Sequence, residues 1–255
     1  MAALESHTAE VKAMAVAPDG SWLASASADG TVRVWRPDGA PVATLDGRAG
    51  AVQLVAVAPD GSWLASASVD EAVRVWRLDG ELVATLERHT EWVHEMVVAP
   101  DGSWFASAST DGTVRVWRPD GELVATLEGY ASRVNSMVVA PDGSWLASAS
   151  RDGRVRVWRL DGELVATLEG HTSVVNTVVV APDGSWFASA SFDDTVRTWR
   201  PDGEVMATLE GHTDWVFEVM VAPDGSWLAS DSLDETVRVW RSDGELIATL
   251  DVHVD

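Results

Sequence analysis

The string Pro-Asp-Gly-Ser-Trp begins at Pro18, Pro59, Pro100, Pro141, Pro182 and Pro223, a constant step of 41 residues. Trp-Arg keeps the same step, beginning at Trp35, Trp76, Trp117, Trp158, Trp199 and Trp240. A period of this length means units that bury their hydrophobic faces only against neighbours, so the repeat governs every local reading. The two series use twelve of the fourteen tryptophans, leaving Trp92 and Trp215 outside the pattern.

Within the first unit, Val11 to Ala17, Trp22 to Ser27, Thr31 to Arg36 and Val42 to Leu45 are short runs rich in β-branched and aromatic residues and alanine. They read as four strands. Pro18-Asp19-Gly20, Ala28-Asp29-Gly30 and Pro37-Asp38-Gly39 between them suit three-residue hairpins with glycine in the left-handed position. No window holds a 3.6-residue apolar period, and turn residues recur too often for ordinary helices. Each unit is therefore predicted to be an antiparallel meander. Six such units are expected to form an all-β, six-bladed β-propeller of four-stranded blades, one domain spanning residues 1–255. Residues 2–7 match the end of an outer strand and a histidine slot, and residues 245–251 supply a last outer strand. The ring is thus expected to close as a monomer, with blade exchange between copies as the alternative.

Composition narrows the chemistry. Forty acids against eighteen bases give a net charge of −22, which repels a phosphate backbone. No nucleic acid is expected. There is no cysteine, which removes thiolate and disulfide chemistry, and one lysine, Lys12, which leaves the Schiff-base route nearly empty. No basic leader or apolar stretch of membrane-spanning length stands out, so no membrane partner and a cytoplasmic location are expected.

The run Leu-Ala-Ser-Ala-Ser-Ala-Asp-Gly-Thr-Val-Arg-Val-Trp at residues 23–35, with Gly-His-Thr opening the fifth and sixth units, resembles the WD40 family. The resemblance covers nearly the whole chain, with one departure: the family's Trp-Asp pair is Trp-Arg in all six units. It implies a buried structural network joining His7, Ser25, Asp29 and Trp35, and likewise His89, Ser107, Asp111, Trp117; His171, Ser189, Asp193, Trp199; and His212, Ser230, Asp234, Trp240. Imidazole donates and accepts, aspartate accepts, serine does both and indole donates, so all four are satisfied together. His253 occupies the same slot at the end of the chain. Arg48 and Tyr130 replace histidine in the second and fourth units, so Ser66, Asp70, Trp76 and Ser148, Asp152, Trp158 are expected to lack that partner.

A serine, histidine and aspartate together also suggest a hydrolase. Catalysis happens at one place, whereas this set occurs four times, which argues for structure and against an enzyme. The aspartates at 19, 29 and 38 and their equivalents read as turn caps, with no calcium loop, no metal and no cofactor expected. The Asp19 and Asp38 series are expected to form an acidic, solvated rim opposite the histidine side.

Variation among the units gathers at three slots. The first holds Glu10, Ala51, Trp92, Arg133, Val174 and Trp215; the second Lys12, Gln53, His94, Asn135, Asn176 and Phe217; the third Ala28, Val69, Thr110, Arg151, Phe192 and Leu233. In the resembled family all three belong to one end of the propeller, around the channel mouth. Aromatics with arginine anchor interfaces. The expected function is a protein- or peptide-binding scaffold using Trp92, His94, Arg133, Arg151, Phe192, Trp215 and Phe217. Trp215, Phe217 and Phe192 form its expected centre, with Trp92, His94 and Arg133 across the channel. The alternatives are a designed or recently amplified scaffold without a ligand, and the sensor part of a larger protein.

Overall fold

The computed structural model describes residues 7–47 and 50–251. Arg48, His253 and residues 2–6, on which expectations about the histidine slots and the chain ends fall, lie outside the described residues. In the first repeat the strands are β1 (Val11–Val16), β2 (Leu23–Ser27), β3 (Thr31–Trp35) and β4 (Pro41–Asp46). They pair antiparallel in sequence order, and each of the other five repeats forms a sheet in the same order. The chain is all-β, with six four-stranded blades of the β-propeller class.

The turns explain why a strand ends where it does. Gly20, Gly30 and Gly39 have φ of 69°, 87° and 89°, and the Gly20 N–H donates to the Ala17 carbonyl to close the first hairpin. The Gly30 slot is filled by Glu71, Asp194 and Glu235 in blades 2, 5 and 6, which keep positive φ without glycine's freedom. Each such residue costs about 1–2 kcal/mol of left-handed strain. The Asp19 carboxylate accepts hydrogen bonds from the Ser21 N–H and hydroxyl, and the Asp38 carboxylate accepts from the Ala40 N–H. These acids therefore serve as turn caps.

Two compact units divide the blades, residues 1–128 with blades 1 to 3 and residues 129–255 with blades 4 to 6. Within each unit the first strands of successive blades adjoin. In the first unit, Trp22, Ala24, Ala26, Val32 and Val34 of blade 1 pack on Val52, Leu64 and Trp76 of blade 2. In the second, Trp186, Ala188, Ala190 and Val196 of blade 5 pack on Val216, Val219, Leu228 and Trp240 of blade 6. Every blade thus has a forward face of small residues under a tryptophan and a backward face of branched residues. Repetition of one complementary contact builds the core.

Candidate functional site

Each Trp-Arg tryptophan sits at the end of its blade's third strand, where the indole Nε1–H reaches across to the second-strand serine. In blade 5 the Trp199 Nε1–H donates to Ser189 Oγ at 2.8 Å. Ser189 Oγ lies 2.8 Å from His171 Nε2, and His171 Nδ1 lies 2.9 Å from Asp193 Oδ2. A carboxylate accepts only, so Nδ1 carries the proton, Nε2 accepts, and the serine hydroxyl donates to it. Asp193 also accepts from the Thr195 hydroxyl and the Thr172 N–H. Blades 1, 3 and 6 repeat the arrangement through His7, His89 and His212. Their indoles Trp35, Trp117 and Trp240 complete it on Ser25, Ser107 and Ser230. Ser107 and Ser189 are 0% exposed, so neither hydroxyl has surface to offer a substrate carbonyl.

Blade 4 has Tyr130 where the other network blades have histidine. Tyr130 reaches Ser148 Oγ with its hydroxyl at 2.7 Å, and the Trp158 Nε1–H still donates to that oxygen at 3.1 Å. Arg156 supplies the other half, donating to Asp152 Oδ2 at 2.9 Å while its guanidinium stacks 4.9 Å from the Tyr130 ring. Phenol and guanidinium together replace one imidazole, and burial pushes the phenol's pKa up. In blade 2, Arg74 grips Asp70 at 2.7 Å and Trp76 donates to Ser66. Asp70 and Asp152 thus take an arginine partner in blades without the histidine. The sequence reading missed these arginines, although an arginine stands four residues after the turn aspartate in every unit.

The network sets an acid limit on stability. Although burial pushes the Asp111 and Asp193 carboxyls up, the bonds from Thr113, His89, His171 and Thr195 hold both well below the usual carboxylate range. Asp29 and Asp234 are lowered in the same way, burial again opposing their hydrogen bonds. Below the ordinary aspartate value of 3.8, the unfolded chain takes up protons that the folded chain refuses. Stability present above that value is lost as pH falls towards the folded values. The urea midpoint is accordingly expected to fall between pH 6 and pH 3. A midpoint equal or higher at pH 3 would contradict this.

The variable slots come together at the histidine end of each blade. The third-slot N–H donates to the first-slot carbonyl in all six blades, as Phe192 does to Val174 at 3.0 Å and Arg151 to Arg133 at 2.9 Å. In the second unit this assembles an aromatic cluster. Phe192 and Trp215 stack with centroids 4.6 Å apart and planes 9° from parallel, and Phe217 stands edge-on to Phe192 at 5.4 Å. Trp215 remains 46% exposed, while Phe192 and Phe217 are half-buried. The Phe217 carbonyl accepts from Asn176 Nδ2 at 2.7 Å, which ties blade 5 to blade 6 beneath the rings. Arg133 and Arg151 are exposed side by side on blade 4, and Arg151 borders a cleft of about 250 Å³ whose far wall is Val174. Blades 4, 5 and 6 thus present guanidinium, cleft and aromatics in sequence.

Trp92 and His94 belong to the first unit. Trp92 is exposed beside Thr110, and His94 is half-buried on the first strand of blade 3. A larger cavity of about 600 Å³ opens at the opposite ends of blades 4 and 5, between Trp145 and Pro201. Trp145, Asp161 and Asp202 there occupy slots filled identically in every unit, while Leu160 and Pro201 share one slot that holds proline, leucine or serine. Among the described residues no three His, Asp or Glu side chains converge to hold a metal ion.

The WD40 family, described as "WD domain, G-beta repeat", matches residues 1–36, 39–77, 80–118, 121–159, 162–200 and 203–241. The chain belongs to the WD40 family. The last five matches start 41 residues apart, and each takes the fourth strand of one blade with the first three strands of the next. No curated protein matches the chain. WD40 propellers are in general protein-interaction scaffolds without chemistry of their own, and the Trp-Arg departure leaves the blade architecture intact.

Proposed function

We propose that this WD40 chain is a non-catalytic scaffold that binds a protein or peptide on the histidine end of blades 4 to 6. The stacked Phe192–Trp215 pair carries the reading. Stacking holds the half-exposed indole in one orientation, so little side-chain entropy remains to be lost on binding. An exposed aromatic patch on a strongly charged protein suits an apolar anchor. Arg133 and Arg151 next to it favour an acidic group on the same ligand, since both guanidinium forks match a carboxylate. The buried serines and satisfied histidines of the network account for the constellation that resembles a hydrolase.

An array of short peptides varying in aromatic and acidic content tests this. The chain is expected to retain peptides with an aromatic or branched anchor near aspartate or glutamate. Trp215→Ala is expected to weaken them roughly 30-fold, the loss of about 2 kcal/mol typical of an interface tryptophan. Its stability should fall by no more than about 1 kcal/mol, the loss of the stacking on Phe192. Retention of no peptide at all would favour a ligand-free scaffold, and equal retention by the variant would remove the site from this patch.

A further inference from the structure

The cavity of about 600 Å³ between blades 4 and 5 lies wholly within the second unit, at the ends opposite the histidines. Trp145, Val157, Leu160 and Val165 of blade 4 and Pro201 of blade 5 give it an apolar wall. Trp145 is partly exposed there, and Val165 is 41% exposed. The neighbouring junction is tied at the equivalent place: between blades 5 and 6 the Thr198 hydroxyl donates to the Ser242 carbonyl at 2.9 Å. Val157 and Pro201 fill those two slots between blades 4 and 5. A valine has no donor, so the tie cannot form and the groove stands open. Val75, Leu78 and Pro119 fill the same slots at the junction of blades 2 and 3.

The polar groups at the rim set the charge of an occupant. Ser144 turns its N–H and hydroxyl onto Asp142, and Arg159 pairs with Glu163 at 3.4 Å. Asp161 and Asp202 each use one carboxylate oxygen on a turn amide, that of Glu163 and that of Glu204, which leaves the other oxygen to a ligand. The rim therefore offers acceptors and negative charge. We propose that this groove docks a basic segment of a partner protein, with an apolar side chain seated on Trp145 and Leu160 and an adjoining arginine reaching Asp161 and Asp202. The volume falls in the range of ordinary ligand pockets. An arginine stem covers apolar surface while its guanidinium meets carboxylates, and an indole face attracts the same cation. The net charge of −22 draws such a segment in from solution. The aromatic cluster at the histidine end favours an acidic ligand, so the two ends would select partners of opposite charge.

Titration of a capped peptide of one leucine followed by two arginines into the full chain tests the proposal. The readout is the Trp145 indole N–H resonance, assigned with Trp145→Phe. The peptide is expected to move that resonance and to leave the Trp215 resonance in place, which separates this site from the one at the histidine end. Val157→Thr installs the residue that blade 5 already carries as Thr198. It is expected to weaken the effect at Trp145 about tenfold, with little change in the melting curve. Asp161→Asn with Asp202→Asn keeps a capping oxygen at each turn and is expected to weaken it by a similar factor. A Trp145 resonance that does not move would overturn the proposal. So would an equal response to a peptide with alanine in place of leucine, or with glutamates in place of the arginines, since charge alone or apolar contact alone would then explain it. An undiminished response in Val157→Thr and in the double asparagine variant would place the contact elsewhere and overturn it too.

Discussion

His171→Ala is expected to destabilise the protein by about 2–4 kcal/mol, read as a lowered urea midpoint. The imidazole is buried and joins two groups that cannot reach one another without it, Ser189 and Asp193. Its removal leaves the buried serine proton with no acceptor at the end of the chain that starts on Trp199, and it leaves a hole the size of the ring. Water entering that hole would recover part of the loss, which sets the lower end of the range. Tyr130→Phe removes only a hydroxyl from the matching position in blade 4 and is expected to cost about 1 kcal/mol. Asp38→Ala, a cap on an exposed hairpin, is expected to cost under about 0.5 kcal/mol. Equal losses for His171→Ala and Asp38→Ala would show that the network does not hold the blade together.

Ala190→Asp is expected to cost about 3–5 kcal/mol, the size of an uncompensated charge in a protein interior. Ala190 is fully buried where blade 5 meets blade 6, against Val216 and Val219. The same substitution exists naturally one repeat later as Asp231, where the carboxylate is exposed. A carboxyl forced into this junction is easier to bury protonated, so the penalty should shrink as pH falls from 7 towards 5. A penalty under about 1 kcal/mol at pH 7 would show that the blade 5 to blade 6 contact is loose or wet.

The fold was legible because the repeat shows each local signal six times. The Asp-Gly turns, the alternating strands and the serine, aspartate and tryptophan slots all agree, and the observed strand bounds differ from the expected ones by about a residue, as at Trp22 and Arg36. Phe192, Trp215 and Phe217 could be grouped in advance because they fall at equivalent ends of adjoining blades. Their stacking angle could not, since side-chain rotation leaves no trace in spacing. Tyr130 and Arg156 were harder: Tyr130 looks like a departure from the pattern and Arg156 like one of six equivalent arginines, and only geometry shows phenol and guanidinium dividing the work of one imidazole.

In the proposed function the Trp-Arg indoles hold blades together and the exposed Trp215 meets the ligand, and indole hydrogen exchange followed by NMR tests that division directly. The indole N–H groups of Trp35, Trp76, Trp117, Trp158, Trp199 and Trp240, each donating to a buried serine, are expected to exchange slowly. Those of Trp92 and Trp215 are expected to exchange at once. Adding a peptide selected on the array should move the Trp215 resonance and leave the six protected indoles in place. Rapid exchange among the six, or a peptide that moves them while Trp215 stays unchanged, would contradict the assignment of structure to the network and of binding to the aromatic cluster.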